Sequence, residues 1–349
     1  MRYILKNPDC KFVAGIEIYI PSDRAIDIRI GASKVEHPLA WEYPAYRMKR
    51  NGEWTTVDFE RPDNWTQFEM DITSEHGIGA SGRIVYFEPL SEEVTRSLLS
   101  EKRIVFLGAA RNCAGKITES INRVLELAKY FKEYRIKIFE NDSSDETPQL
   151  ISDSLKGNVN AEVFTEKELC AALPSRTQRL AHARNCLLDA TIEQQADFDY
   201  VCWLDLDGLV DSRFTNEGFL SNFKYEAVWD AVFPVTMPIY YDIWALREKY
   251  ISPIDIVWHS QHLVPSVIRS KRNLHAAVQQ LTQDNLSGWL SVESAFGGFG
   301  LYKMDISSKG RYVGIINNEE ICEHVTYNES LYRAGARLYI NPECITHNP

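Results

Sequence analysis

The sequence has little of what a membrane, disulfide-bonded or nucleic-acid-binding protein requires. No apolar run in its 349 residues reaches the roughly 18 residues of a membrane span, and Pro8 interrupts the N-terminal stretch before a signal-peptide core could form. Seven cysteines without a Cys-x-x-Cys pair favour reduced thiols over a disulfide framework or a zinc site. A net charge of −11 argues against binding to nucleic acid. We therefore expect a cytoplasmic protein with no transmembrane segment and no nucleic-acid partner.

The first part of the chain also lacks any long stretch of helical periodicity. Residues 1–95 contain short alternating runs instead, such as Phe12–Ile20 and Ala25–Ile30, separated by turn residues. Alternation of this kind is typical of half-buried strands and predicts a small β-rich, sandwich-like domain. Its aromatic residues fit either the core of that domain or a carbohydrate-binding platform. They are Trp41, Tyr43, Tyr46, Trp54 and Trp65.

The pattern changes after a short charged segment, Glu88–Glu101, which we predict to be a linker. An apolar strand that ends in a small-residue loop, over Ile104–Asn112, is followed by an amphipathic helix over Ile117–Phe131 and a second strand over Arg135–Phe139. Strand and helix in alternation predict a doubly wound α/β sheet, Rossmann-like, in a second domain that spans residues 103–349.

The most informative stretch is an apolar strand, Val201–Leu204, that runs into Asp205, Leu206, Asp207 and Gly208. Side chains two residues apart on a strand project to the same side, so the two aspartates are expected to face one site. Carboxylate oxygens are the ligands that hard divalent cations prefer. The pattern favours an Mn²⁺ or Mg²⁺ site, and the alternative is a strand end followed by an ordinary Asp-Gly turn.

Polar residues also follow the two strands before it. Arg111 comes after the first strand, and Glu140, Asn141 and Asp142 come after the second. In open α/β sheets ligands bind beyond the carboxyl ends of the strands, so these side chains are predicted to meet Asp205 at one edge.

The segment 176–188 predicts a helix that carries three basic residues, Arg176, Arg179 and Arg184. A guanidinium on this helix could bind a diphosphate near the acidic strand end. The alternative is a solvated helix face.

A glycine-rich loop lies near the C-terminus, at Phe296–Gly300. Glycines allow the backbone to approach a ligand closely, but their spacing is not that of a dinucleotide-binding fingerprint. The late histidine, His347, is a residue type that suits Mn²⁺.

In their order along the chain, these stretches resemble the GT-A superfamily of nucleotide-sugar-dependent glycosyltransferases over residues 103–349. The segment Ser143–Thr147 echoes the Ser-x-Asp-x-Thr pattern of that superfamily, whereas His324 stands where an acid is usual. The resemblance implies a GT-A-like mixed sheet, a GDP- or UDP-sugar donor, a glycan acceptor, and Mn²⁺ or Mg²⁺.

The same resemblance assigns roles to individual residues. The donor nucleotide would be bound by Arg111, Glu140, Asn141, Asp142, Arg179, Arg184 and Asp205. The metal would be held by Asp205, Asp207 and His347. The acceptor would contact Trp244, Gly297 and Gly298, and the catalytic residues would come from Asp242, Glu323 and His324.

A narrower resemblance is to the capsule-associated α-1,3-mannosyltransferases of the cryptococcal type. It implies a hexosyltransferase that retains the anomeric configuration of its sugar, with mannose as the sugar and a capsule or surface polysaccharide as the product. The N-terminal β-rich region lies outside the resemblance. The resemblance to these mannosyltransferases is based on four sequence blocks. They are Arg176-x-x-Arg179-Leu180-Ala181-x-x-Arg184-Asn185, Tyr241-Asp242-x-Trp244-x-x-Arg247, Gly297-Gly298-Phe299-Gly300-Leu301-Tyr302 and Cys322-Glu323-His324-Val325.

Two other functions fit the same residues. One is a non-catalytic carbohydrate-binding protein in which the N-terminal region binds the glycan. The other is a sugar nucleotidyltransferase, which also uses paired aspartates but normally begins with a glycine-rich loop and a basic residue; Gly108–Asn112 imitates that loop only weakly.

Overall fold

The computed structural model describes the strands within residues 1–80 and most of the chain from residue 81 onward. The described residues form two compact units, one made of those up to Pro89 together with Trp289, the other of those from Leu90 onward except Trp289. The described ranges are 2–6, 12–19, 26–33, 46–48, 54–63, 67–73, 81–194, 198–238, 240, 242–248 and 289–347.

The described residues of the first unit form seven strands in two antiparallel sheets. Ile16 and Ile18 are buried while Glu17 between them is half-buried, which is the period-two pattern that the sequence predicts. The sandwich-like arrangement and a carbohydrate-binding role remain predictions, and Trp41, Tyr43 and Trp65 lie outside the described residues. The strands are β1 (Arg2–Lys6), β2 (Val13–Tyr19), β3 (Ile26–Ser33), β4 (Tyr46–Met48), β5 (Trp54–Asp63), β6 (Gln67–Thr73) and β7 (Ser81–Tyr86), ordered β1-β6-β3-β4 and β5-β2-β7.

The second unit is built on one eight-stranded mixed sheet. Its strands are β8 (Arg103–Ala110), β9 (Glu133–Asn141), β10 (Ala161–Glu166), β11 (Tyr200–Asp205), β12 (Ala231–Met237), β13 (Leu290–Val292), β14 (Phe299–Lys303) and β17 (Leu338–His347). The spatial order is β10-β9-β8-β11-β14-β12-β17-β13. Neighbouring strands are parallel, except that β14 runs antiparallel to β11 and β12, and β13 runs antiparallel to β17. The predicted α/β sheet is confirmed as a large, mostly parallel one.

Helices connect these strands. They are α1 (Glu92–Leu99), α2 (Ile117–Ala128), α3 (Thr147–Ser154), α4 (Leu169–Ala172), α5 (Arg176–Glu193), α6 (Asn216–Ser221), α7 (Met304–Ser307) and α8 (Glu323–Arg333). A short hairpin of β15 (Ile315–Ile316) and β16 (Glu319–Glu320) precedes α8.

The centre of the sheet is buried on both faces. Val105 and Leu107 of β8 and Val201 and Trp203 of β11 are at most 1% exposed, and Leu187 of α5 packs in the same core cluster. Strands covered on both faces read as continuous apolar runs, which is why they were recognisable in the sequence.

The segment predicted as a linker contains a helix instead. Ser91 caps α1 through a hydrogen bond that its Oγ accepts from the N–H of Val94 at 3.3 Å. Thr95 and Leu99, four residues apart, are both buried on one face of α1. The charged residues occupy the outer face, so a charged composition alone did not distinguish an amphipathic helix from a linker.

Across the described ranges, no helix is long and apolar enough to cross a membrane. The six cysteines in those ranges are free thiols. Burial raises the pKa of Cys202 and Cys322 well above the usual thiol value, so both stay protonated at neutral pH.

Candidate functional site

Three parallel strands end side by side at one edge of the central sheet. The order β9-β8-β11 places their last residues, Asn141, Ala110 and Asp205, next to one another. Because β14 runs antiparallel to β11, it begins at this edge, and the N–H of Asp205 donates to the carbonyl oxygen of Gly298 at 2.9 Å. The glycine-rich loop and the acidic strand end are therefore neighbours.

A cleft of about 200 Å³ opens at this edge. Side chains of both charges line it, and five of them belong to residues predicted from the sequence: Arg111, Asn141, Arg179, Asp205 and Asp207. Arg176, weighed with Arg179 and Arg184 as a diphosphate-binding residue, lines it as well. A site of this composition can bind a phosphorylated ligand through its guanidinium groups and a cation through its carboxylates.

The two aspartates reach the cleft from different local structures. The strand ends at Asp205, whose side chain is 32% exposed, and Asp207 stands exposed in the following turn. Leu206 between them is buried. Gly208 closes the turn at φ +108°, and the side chain of Lys116 fills the space that a Cβ would need.

The carboxyl group of Asp205 has a raised pKa. Its partial withdrawal from water raises its pKa to about 7, and the nearby Arg184 guanidinium opposes this rise. The carboxylates of Asp207, Asp242 and Glu323 add to the rise by repulsion. A bound cation would offset this repulsion and lower the pKa of Asp205.

Hydrogen bonds between the loops after β8 and β9 hold the floor of the cleft. Asn112 Oδ1 accepts from the N–H of Ser144 at 2.8 Å, and the N–H of Cys113 donates to Thr147 Oγ1 at 2.8 Å. The carboxylate of Asp145 accepts from the N–H of Thr147 at 3.0 Å. The Ser-x-Asp-x-Thr pattern seen in the sequence therefore joins two loops of the site.

Glu140 and Asp142, both predicted to bind the donor, do not line the cleft. Glu140 is buried and accepts from the N–H of Ser143 at 3.0 Å. Asp142 accepts from the N–H groups of Glu168 at 2.6 Å and Cys170 at 2.7 Å, and these bonds lower its pKa to about 2. Both carboxylates are engaged by backbone donors at the sheet edge, and their contact with the donor stays a prediction.

The N-terminal turn of α5 presents two arginines to the cleft. Ser175 caps the helix, and Arg176 directly after it is exposed. Arg179 is half-buried. Its Nη1 donates to the carbonyl oxygens of Leu173 at 2.7 Å and Pro174 at 2.6 Å. These bonds fix the Arg179 guanidinium beside the cleft.

Arg184, two turns further along α5, is buried instead of lining the cleft. Its Nη1 donates to Glu323 Oε1 and its Nη2 to Asp205 Oδ1, the latter at 3.2 Å. The rings of Phe296 and Tyr312 lie 5.6 and 5.7 Å from the guanidinium carbon. Arg184 thus bridges two carboxylates, and its contact with the donor stays a prediction.

Asp242 holds the glycine-rich loop. Its Oδ2 accepts from the N–H of Gly297 and its Oδ1 from the N–H of Ala245, each at 3.3 Å. The hydroxyl of Thr346 donates to the Gly297 carbonyl oxygen at 2.9 Å. Burial raises the pKa of Asp242.

The loop needs glycine at both of its central positions. Gly297 has φ +79° and Gly298 has φ +81°, a region that other residues rarely adopt. A Cβ on Gly298 would stand 2.6 Å from the side chain of Leu209, and one on Gly297 would stand 3.0 Å from Thr236 Oγ1.

His324 lies at the start of α8 and is only 4% exposed. Its ring stacks on Phe296 with centroids 3.5 Å apart and meets Tyr312 edge-on at 5.7 Å. Neither ring nitrogen has a hydrogen-bond partner in the part of the chain that the structure describes. Burial, then the charges of Arg184 and Arg176, hold the pKa of His324 well below its usual value, so the ring is neutral.

Trp244, predicted to contact the acceptor, is half-buried and packs against the core cluster. Its carbonyl oxygen accepts from Arg247 Nη1 at 3.0 Å. Tyr241, from the same sequence block, lies outside the described residues.

The predicted metal ligands are not gathered into one group. No three His, Cys, Asp or Glu side chains in the described ranges are arranged to hold an ion, including Asp205, Asp207 and His347. The Asp205 carboxylate is turned toward Arg184, and His347 ends β17 in register with Met237 of β12. His347 Nδ1 is buried without a hydrogen-bond partner among the same residues.

Comparison with known proteins gives structural neighbours only. No protein-family profile matches the chain, and no curated protein sequence matches it.

Three solved structures illustrate the likeness. A mannosyltransferase from Pyrobaculum calidifontis in complex with GDP-Man and Mn²⁺ has 14% identity and a TM-score of 0.43, over 71% of this chain and 57% of that one. S. aureus TarS 1-349 in complex with UDP-GlcNAc has 13% identity and a TM-score of 0.41, over 71% and 58%. Glucosyl-3-phosphoglycerate synthase from Mycobacterium tuberculosis, in complex with Mn²⁺, UDP and glucosyl-3-phosphoglycerate, has 11% identity and a TM-score of 0.38, over 75% of each chain. The chain thus spans less than two thirds of the first two proteins.

Proposed function

We propose that this chain is a metal-dependent GT-A glycosyltransferase that moves a hexose from a nucleotide-sugar donor to a glycan acceptor. The observation that supports this best is the cleft at the carboxyl edge of the sheet, which is lined by Asp205 and Asp207 together with Arg176 and Arg179. A nucleoside diphosphate with a bound divalent cation needs both signs of charge within one site.

The residues present fit an Mn²⁺ or Mg²⁺ ion bound together with the donor. Mg²⁺ is commonly held by one or two carboxylates plus substrate phosphates, so a group of three protein ligands is not required in advance. Asp205 and Asp207 would supply the carboxylates, and His347 is proposed as a further ligand. When bound, the ion would neutralise charge that develops on the departing diphosphate.

The remaining donor contacts are proposed from the lining of the cleft. Arg179, fixed by two carbonyl oxygens, would donate to a phosphate oxygen without a large loss of side-chain freedom. Arg111 and Asn141 would contact the nucleoside from the ends of β8 and β9.

The acceptor is proposed to bind beside the glycine-rich loop. Gly297 and Gly298 leave room for a ligand near the main chain, and Trp244 would supply an apolar contact for a sugar. Asp242, Glu323 and His324 are the proposed catalytic groups. The raised pKa of Asp242 suits the acceptance of a proton from a hydroxyl, whereas the lowered pKa of His324 makes its neutral ring a weaker base.

Finer features of the proposal depend on the sequence blocks shared with the capsule-associated mannosyltransferases. They are mannose as the sugar, GDP as its carrier, retention of configuration, and a role in capsule or surface polysaccharide synthesis.

Release of nucleoside diphosphate from a panel of GDP- and UDP-sugars, with and without Mn²⁺, tests this function. We expect one donor to be turned over, only with the metal, and not by Asp207→Asn. The variant Asp153→Asn, at an exposed position of α3, is a matched control that should match the wild type. Turnover of a nucleoside triphosphate with pyrophosphate release would instead indicate a nucleotidyltransferase. Glycan binding with no donor turnover would indicate a binding protein.

A further inference from the structure

Arg184 occupies a buried position between the end of β11 and the start of α8. It is 3% exposed, and Glu323, which it contacts through Nη1, is 4% exposed. Its Nη2 donates to Asp205 Oδ1 at 3.2 Å. One guanidinium therefore holds two carboxylates that belong to distant parts of the chain.

Two aromatic rings limit the freedom of this guanidinium. Phe296 and Tyr312 lie 5.6 and 5.7 Å from its central carbon, at cation–π distance. Phe296 is itself fixed by the stacked ring of His324. The planar fork of Arg184 is thus held in place by both charge and packing.

Arginines other than Arg184 line the cleft. Arg176 and Arg179 line it, whereas Arg184 does not. An arginine that binds the phosphates of a donor has to reach the cleft, and the donors of Arg184 point at Asp205 and Glu323 instead.

We propose that Arg184 is a positioning residue that orients Asp205, through Oδ1, as a ligand for the metal and anchors it to Glu323 of α8. The cationic contact to the donor comes from Arg179 instead. This inference rests on the proposed function, because it takes Asp205 to be a metal ligand.

The physical basis is the orientation of a ligand by its own hydrogen bonds. A carboxylate that binds a metal is commonly held by a second group, and removing that group costs about 10- to 100-fold in metal affinity. With Oδ1 held by Arg184, Oδ2 of Asp205 would be the oxygen that binds the metal.

The test measures GDP and UDP binding by calorimetry, without metal and across a range of Mn²⁺ concentrations. The double variant Arg184→Gln/Glu323→Gln removes both charges of the most deeply buried pair together, so that only Asp205 loses the charged partner whose effect is being tested. Arg179→Gln is the matched control from the same helix. Melting temperatures measured by circular dichroism identify variants that do not fold.

The two arginines should behave differently. In Arg184→Gln/Glu323→Gln, we expect nucleotide affinity without metal to be unchanged and the Mn²⁺ requirement to rise about 10-fold or more. In Arg179→Gln, we expect affinity to fall about 10-fold both with and without Mn²⁺, because a charge-assisted hydrogen bond to the phosphate is lost. Arg184→Lys keeps the charge but cannot span both carboxylates, so its Mn²⁺ requirement should lie between those of the wild type and the double variant.

Loss of metal-free nucleotide affinity in the Arg184 variants, equal to that in Arg179→Gln, would show direct donor contact and overturn the inference. An Mn²⁺ requirement equal to or below that of the wild type in both Arg184 variants would also overturn it. If the wild type binds neither nucleotide with Mn²⁺, the proposed function fails and this inference fails with it.

Discussion

The N–H of Asp205 donates to the carbonyl oxygen of Gly298 at 2.9 Å. This main-chain bond joins the acidic end of β11 to the loop that precedes β14. On the other side, Gly297 is held by the carboxylate of Asp242 and the hydroxyl of Thr346. A change in the glycine-rich loop should therefore alter the position of the acidic strand end.

Gly298→Ala tests whether this loop requires glycine. Its φ of +81° disfavours alanine, and the added Cβ would stand 2.6 Å from the Leu209 side chain. We expect the free energy of unfolding in urea to fall by about 1–3 kcal/mol. The control is Gly115→Ala, where no atom lies within 4 Å of the new Cβ, and its stability should stay the same or rise slightly. Equal stability of the two variants would contradict the prediction.

Thr147→Val tests the hydrogen bonds that hold the loops of the cleft. Thr147 is fully buried, and its hydroxyl accepts from the N–H of Cys113 at 2.8 Å. Valine has the same shape but leaves that donor without a partner, so the free energy of unfolding should fall by about 1–3 kcal/mol. Nucleotide binding should weaken as well. Thr118→Val, at an exposed position of α2, should change neither, and a similar loss in both variants would refute the explanation.

His324→Phe tests the neutral histidine through the pH dependence of stability. Because the folded state holds the pKa of His324 well below that of the unfolded chain, near 6.5, the unfolded state binds more protons as the pH falls below 6.5. The wild type should lose up to about 1.4 kcal/mol of unfolding free energy per pH unit in that range, and nothing from this group above it.

The phenylalanine variant should lack this contribution. Phenylalanine can occupy the stacked position on Phe296 and removes two buried nitrogens without partners, so the fold should be retained. Chemical denaturation of both proteins between pH 5 and pH 8 is the measurement. Parallel stability curves for wild type and variant would contradict the assignment of a neutral, buried His324.

The α/β sheet was predictable because its signals are local. The apolar runs of β8 and β11 reflect burial on both faces, and the polar residues directly after them mark the carboxyl edge. Arg111, Asn141, Asp205 and Asp207 could be placed in one site on that basis, and the structure brings them to one cleft.

The roles of the arginines on α5 could not be separated in the same way. Arg176, Arg179 and Arg184 share one helix, and the sequence gives no sign of which is buried. The buried guanidinium of Arg184 pairs with Glu323, which lies 139 residues further along the chain. Long-range pairing of this kind is decided by tertiary packing and leaves no local pattern.

The hydrogen-bond partners of Asp142 and Glu140 could not be predicted from the sequence either. Both follow a strand at the functional edge, as a ligand-binding residue would, but their carboxylates are taken up by backbone N–H groups of the surrounding loops. Aspartate and glutamate commonly hydrogen-bond nearby backbone, and the sequence does not distinguish that use from ligand binding.

The most direct test of the central claim is the binding of GDP and UDP to the wild type, to Asp207→Asn and to Asp153→Asn, each measured with and without Mn²⁺. Asp207 is exposed in a turn, so its replacement should leave the fold intact. We predict that one nucleotide at about 100 times its Kd with Mn²⁺ stabilises the wild type and Asp153→Asn by about 2.7 kcal/mol, and that Asp207→Asn loses the Mn²⁺-dependent part. Binding that is independent of Mn²⁺, or equally strong in Asp207→Asn, would contradict a metal-dependent nucleotide site at this sheet edge.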